Sequence, residues 1–194
     1  MASNRPTLSD VAAPAHEAWL ITGIPGAGKS TIARTLAARL PRAVHIEGDR
    51  LGEWIISGRV DPGQPPAAEA ERQIRLNIHN QCLLARSYAR AGFVPILDFP
   101  VVSHTGRLDR YRRALRRLDF YLVVLNPGRA TALARDRARP EKTVAHLWVH
   151  MEDALRRELA GLGLWIDSAP LDVQATVELI VQHKPQALLA SGAQ

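Results

Sequence analysis

Short apolar runs alternate with helical stripes along most of the 194-residue chain. Trp19-Leu20-Ile21-Thr22 is the first run; it stops at Gly23 and predicts a buried strand. Ile32, Leu36 and Leu40 then recur at helical spacing until Pro41 ends the pattern. Residues 43–47 predict a second strand, and residues 59–68, rich in Pro and Gly, a loop. Residues 69–91 contain no Pro or Gly and set Ile74, Ile78, Cys82 and Ala85 on one stripe, which predicts a long helix capped by Gly92. A third strand follows at 93–98, then a short arginine-rich helix at 107–118. Phe120-Tyr121-Leu122-Val123-Val124-Leu125 is the most strand-like run in the chain. Pro127 suits the first turn of the next helix, which must close near Arg139, before Pro140. Another helix is predicted over 142–160, a fifth strand over 164–167 and a closing helix over 172–183.

Strands and helices in strict alternation imply an α/β fold, a five-stranded parallel sheet sandwiched by helices. The pattern divides the chain into a loose leader (1–18), one domain (19–184) and a frayed tail (185–194). Ligands of such sheets sit at the carboxyl ends of the strands. The positions to inspect are therefore those after Thr22, Glu47, Asp98, Leu125 and Asp167.

Composition narrows the class. No apolar run is long enough to span a bilayer, and the first eighteen residues hold Arg5, Asp10, His16 and Glu17 and no apolar core of a signal peptide. These features predict a cytoplasmic protein with no membrane partner. The single cysteine, Cys82, excludes an internal disulfide and a cysteine zinc cluster. A net charge of +6 admits a nucleic-acid partner. However, only Lys29, Lys142 and Lys184 are lysines, and an arginine and alanine bias of this kind is what a GC-rich genome produces, so a small-molecule partner is preferred.

The first strand leads directly into Gly23-Ile24-Pro25-Gly26-Ala27-Gly28-Lys29-Ser30, a full match to the phosphate-binding loop of P-loop NTPases, with a helix after it. Glycines let successive N–H groups turn inward around phosphate oxygens, and the helix N-terminus adds its partial positive charge. Lys29 reaches the β- and γ-phosphates of ATP, the Ser30 hydroxyl can ligate Mg²⁺, and Thr31 is placed to touch the α-phosphate.

The second strand ends His45-Ile46-Glu47-Gly48-Asp49-Arg50, at a tip expected to neighbour that loop. A carboxylate at Asp49 can orient or deprotonate an attacking hydroxyl; the competing reading makes Asp49 a helix N-cap. Arg135 and Arg139, four apart, share a helix face and can close over the triphosphate from a small lid at about 135–142. The arginines at 107, 110, 112, 113, 116 and 117 could bind an anion, but read more simply as a solvated face. His79, His104, His146 and His150 form no metal pattern, and Trp54 and Trp165 read as core residues. Trp54 also lies close enough in sequence to Asp49 to line an acceptor pocket.

In motif order, GIPGAGKST, HIEGDR and the arginine lid resemble the small P-loop kinases. These are the chloramphenicol phosphotransferase, gluconate kinase, adenylylsulfate kinase and polynucleotide kinase group. The resemblance implies a nucleoside-kinase-like fold and Asp49 as general base. It also implies that Asp98, at the end of the third strand, helps to hold Mg²⁺ or contacts the acceptor, and that a lid arginine is needed for transfer. The fourth strand ends Asn126-Pro127 without a carboxylate, unlike a motor ATPase, and no guanine-recognition signature is present. The resulting expectation is ATP-dependent phosphorylation of a hydroxyl on a small molecule: an antibiotic or other natural product, a sugar or a nucleoside. A 5′-hydroxyl polynucleotide kinase and a regulatory module with slow ATP hydrolysis are the alternatives.

Overall fold

The computed structural model describes residues 13, 15–100, 106–138 and 151–189. Five parallel strands form the sheet: β1 (Glu17–Gly23), β2 (Ala43–Glu47), β3 (Val94–Asp98), β4 (Asp119–Leu125) and β5 (Leu164–Ile166). Their spatial order is β2-β3-β1-β4-β5. The helices around them are α1 (Lys29–Ala38), α2 (Gly48–Glu53), α3 (Ala67–Arg90), α4 (Arg107–Ala114), α5 (Gly128–Arg137), α6 (Met151–Glu158), α7 (Val173–Gln182) and α8 (Lys184–Ala187). This is the expected P-loop NTPase architecture. Every residue of β1 after Glu17 is buried, as is every residue of β4 after Asp119, because helices cover both faces.

The order has one consequence that the sequence pattern did not give. β3, not β2, lies directly beside β1, with Ile21 opposite Asp98. The expectation that the second strand's tip neighbours the phosphate loop is corrected: β3 intervenes, and Glu47 pairs with Asp98 on its far side. The strand order reverses at β1, so the loop after β1 sits at the switch point where such sheets bind ligands.

α3 buries the stripe Ala70, Ile74, Ile78, Cys82, Ala85 and Ala89, one face of a helix packed on the sheet and on α4. Full burial of an isoleucine side chain is worth roughly 1.5–3 kcal/mol, so this stripe is a main anchor of the fold. At the other end, residues 185–189 are not frayed. Ala187 and Leu189 are buried, Leu188 bridges Tyr121 antiparallel, and Leu189 N–H donates to Phe120 C=O at 2.9 Å. Lys184 pairs with Glu17 and lies over the stacked rings of Trp19 and Tyr121. Burial pulls the Lys184 pKa down, but the bond and the charge of Glu17 outweigh it and leave it raised. Asp172 caps α7 by accepting from Ala175 N–H at 2.7 Å.

Candidate active site at the carboxyl edge of the sheet

The loop between β1 and α1 takes its shape from its glycines. Gly26 and Gly28 have φ of 83° and 92°, a region that costs other residues about 1–2 kcal/mol. A side chain on Gly26 would also strike the backbone of Ala132. Gly28 is the N-cap of α1 and has open space around it. The first bond inside α1 runs from Ile32 N–H to Gly28 C=O at 3.0 Å, so the preceding N–H groups of the helix find no carbonyl within it. Lys29 is buried, with Nζ donating back across the loop to Ile24 C=O at 3.3 Å. A concave turn of backbone donors with one buried ammonium fits a polyphosphate. Ser30 and Thr31 follow in the first turn of α1.

The turn after β2 is made differently. Gly48 has no positive φ; it is required because nothing larger fits. A Cβ there would lie 2.6 Å from Gln81 Nε2 and 2.9 Å from Asp98 C=O, and would strike Phe99. A chain of side chains holds this glycine. Tyr111 Oη donates to Gln81 Oε1 at 2.8 Å, Gln81 Nε2 to Asn77 Oδ1 at 2.7 Å, and Asn77 Nδ2 to Gly48 C=O at 2.7 Å. Tyr111 and Gln81 are both fully buried. Burial pushes the Tyr111 pKa well up, so its hydroxyl keeps the proton that starts the chain.

Asp49 follows as the second residue of α2. The N-cap position belongs to Glu47, so the capping reading of Asp49 is corrected. Asp49 is exposed at the carboxyl edge of the sheet, and its side chain makes no hydrogen bond or ion pair among the described residues. Arg50 and Arg34 both approach Glu47 at 3.9 Å, so the neighbouring acid is engaged while Asp49 is not.

Asp98 is buried at 2% exposure, and Oδ2 lies 2.6 Å from His45 Nε2. Sequence reasoning did not select His45. Its signal was period-two spacing before Glu47, which looks the same for a histidine facing water. Among the described residues no three His, Cys, Asp or Glu side chains converge to hold a metal. Magnesium bound chiefly through water and substrate phosphates needs no such cage, and Ser30 and Asp98 supply protein oxygens at this edge.

Arg135 is on α5, where NH2 donates to Ser168 C=O at 2.7 Å and NH1 to Ser168 Oγ at 3.4 Å, just past β5. It is thereby tied to the β5 end of the same edge. Arg139 and the rest of the expected lid to residue 142 lie outside the described residues, as do His104, His146, His150 and the helix expected over 142–150. Trp54 is 70% exposed and Ile56 91%, so the core reading of Trp54 is corrected; Trp165 does pack against the core. The segment that follows is fastened to α3, because Gln73 donates to Gly58 C=O at 2.8 Å and accepts from Val60 N–H at 2.9 Å. No helix among the described residues is long and apolar enough to cross a membrane.

The family model described as an AAA domain matches residues 19–160. No curated protein matches the sequence. Solved structures do. A sugar kinase from Janibacter sp. HTCC2649 aligns with TM-score 0.62 and 17% identity, over 88% of this chain and 95% of its own. The tunicamycin resistance protein of Deinococcus radiodurans aligns with TM-score 0.63 and 23% identity, over 91% and 98%. Shikimate kinase from Bacteroides thetaiotaomicron aligns with TM-score 0.62 and 14% identity, over 87% and 98%. At these identities the likeness establishes a shared fold, the five-stranded parallel sheet flanked by helices.

Proposed function

The chain belongs to the AAA domain family, and from that premise we propose that it is an ATP-dependent phosphotransferase acting on a hydroxyl of a small molecule. One observation carries the reading: the glycine-built phosphate loop and an exposed carboxylate, Asp49, occupy the same edge of one sheet, and a buried hydrogen-bond chain fixes the backbone just before that carboxylate. A nucleotide-binding module has no need of the second part.

In the proposed reaction the loop amides and Lys29 hold and neutralise the phosphates of ATP. Asp49 accepts the acceptor's hydroxyl proton. The acceptor oxygen then bonds to the γ-phosphorus as the bond to the β,γ-bridging oxygen breaks, and ADP leaves with that electron pair. Bound Mg²⁺ would spread charge over the phosphate oxygens, with the Ser30 hydroxyl and Asp98 as protein oxygens on its side. Arg135 and Arg139 would add positive charge from the lid. The His45–Asp98 pair, which joins β2 to β3, keeps the Asp98 carboxylate in a fixed position. Trp54 and Ile56, exposed just beyond α2, give the acceptor side an apolar rim, which favours acceptors with a hydrophobic or sugar face.

The test is a screen with γ-labelled ATP against hydroxyl-bearing natural products, sugars and nucleosides, beside 5′-hydroxyl oligonucleotides. Label transferred to a small molecule, abolished in Asp49→Asn, is the expected result. Transfer to oligonucleotide ends would replace this acceptor with the polynucleotide one. Release of phosphate to water alone, unchanged in Asp49→Asn, would leave only a slow ATPase module.

A further inference from the structure

Arginines crowd the groove between α3 and α4. Two adjoining cavities of about 270 and 130 Å³ run along it, and no carboxylate lines either one. Arg86, Arg90, Arg110, Arg113, Arg116 and Arg117 line these cavities. Elsewhere arginines are commonly matched with acids: Arg39 with Glu178, Arg59 with Asp61, Arg72 with Glu69, Arg129 with Glu152 and Asp153. Even Arg107, at the start of α4, is paired with Glu71 at 2.9 Å. The six groove arginines pair with no carboxylate among the described residues, and Arg110 Nε is buried there without a hydrogen-bond partner. Asp119 follows at the foot of the groove but lines neither cavity. Six guanidinium groups crowded without counterions repel one another, and an anion seated among them removes that repulsion.

The shape selects the anion. Arg75, at the head of the first cavity and the one lining arginine near a carboxylate (Glu71, at 4.0 Å), and Arg90, in the second, are fifteen residues apart on one helix, a span of about 22 Å. That is too long for one phosphate or a mononucleotide, and it fits several successive phosphates of a chain. Guanidinium groups bind phosphate oxygens through paired N–H donors. Apart from His79 in the first cavity no aromatic side chain lines either one, so the groove lacks a run of stacking platforms and sequence would not be read. The exposed apolar residues of α3, Leu76, Leu83 and Tyr88, also lie outside the lining, which removes the apolar contact a membrane surface would use. The end of α3 and the end of α4 precede β3 and β4, so the groove descends toward the amino edge of the sheet, away from the phosphate loop.

We infer that this groove docks the phosphodiester backbone of a single nucleic-acid strand, at a site separate from the nucleotide and acceptor. The docked strand is a second ligand and leaves the carboxyl edge open. The experiment is fluorescence anisotropy with fluorescein-labelled (dT)12 between 50 and 200 mM NaCl. The expected result is binding whose logarithm falls with log salt by about 3 to 4, since each phosphate contacted on a single strand contributes about 0.7. R113Q/R116Q/R117Q on one wall and R86Q/R90Q on the other should each weaken it at least tenfold at 50 mM and flatten the slope by about 1.5 to 2, with unchanged melting temperature. Lys29→Ala should bind (dT)12 as well as the parent does. No binding at 50 mM, equal binding by both wall variants, or loss in Lys29→Ala would overturn the inference. So would tighter binding of duplex DNA, inorganic polyphosphate or phosphatidylserine vesicles than of (dT)12.

Discussion

The turns after β1 and β2 reach the same edge of the sheet by opposite means. The phosphate loop makes its own shape: Gly26 and Gly28 supply left-handed φ within a few residues of Lys29, and Lys29 is tied to Ile24 five residues away. The turn before Asp49 has ordinary backbone angles and is held from outside. Asn77 and Gln81 come from a helix about thirty residues on, and Tyr111 from another helix thirty residues further. The first arrangement builds a receptor for an anion common to many reactions. The second sets the position of one carboxylate, and its dependence on distant side chains lets that position be tuned without touching the nucleotide site.

Substitutions can separate the two. The largest effect is expected for Asp49→Asn, which removes proton-accepting ability at the held turn. Transfer to the acceptor should fall about a hundred- to ten-thousand-fold, with ATP affinity by calorimetry and melting temperature nearly unchanged. Near-normal turnover would remove Asp49 from the chemistry. Lys29→Ala should show the reverse signature, with Mg-ATP binding and turnover both severely reduced in a protein that still folds.

Gly48→Ala and Gly28→Ala form the next pair. At Gly48 the added methyl meets Gln81, Asp98 C=O and Phe99, an overpacking that costs about 1–3 kcal/mol and should displace Asp49. Thermal melting and transfer rate should both drop. At Gly28 the methyl meets nothing, but φ of 92° strains alanine. Here ATP affinity should suffer more than transfer from the bound state. Equal signatures for the two variants would contradict the contrast.

A smaller effect is expected along the relay. Tyr111→Phe leaves Gln81 Oε1 without its buried donor, at a cost of about 1–3 kcal/mol. The rate of transfer should fall several-fold with the KM for ATP unchanged, and Asn77→Ala should do the same. A change in KM for ATP alone would show that the relay serves the loop instead.

The smallest effect concerns pH. Hydrogen bonds from Arg72 and Gln73 hold the half-buried Glu69 carboxyl down at about 2, from an ordinary value of 4.5. Its folded pKa is depressed, so its contribution is complete above about 4.5 and disappears as pH falls toward 2. Because Gln73 also fastens Gly58 and Val60, Glu69→Gln should slightly loosen the segment beyond Trp54 at neutral pH, seen as faster amide exchange there. The parent should approach the variant's behaviour only below about pH 3.

The same contrast explains what could be read in the sequence. The phosphate loop is specified by eight consecutive residues, and the alternation of strands and helices by short-range periodicity; both were legible. Strand order was not, because each strand is an apolar run whatever its neighbours, so the insertion of β3 between β2 and β1 left no local mark. The Tyr111–Gln81–Asn77 chain was invisible for a related reason: a glutamine on an apolar stripe gives no sign of its distant partners. Trp54 was misplaced because an isolated tryptophan leaving a six-residue helix has no period to assign it to a face. Residues 185–189 looked like an ordinary terminus because their partners, Phe120 and Tyr121, precede them by more than sixty positions.

That terminal segment has a bearing on how the protein behaves in concentrated solution. β5 covers β4 only from Val123 onward, so the first residues of β4 would present an open row of backbone donors and acceptors on that side. Leu188 and Leu189 occupy this row antiparallel, with Lys184 clamped to Glu17 beside it. An unprotected strand edge is a template for pairing with another molecule. The tail therefore acts as a guard against self-association. A protein shortened before Lys184 would keep its nucleotide loop intact but offer an adhesive strand to every copy it meets.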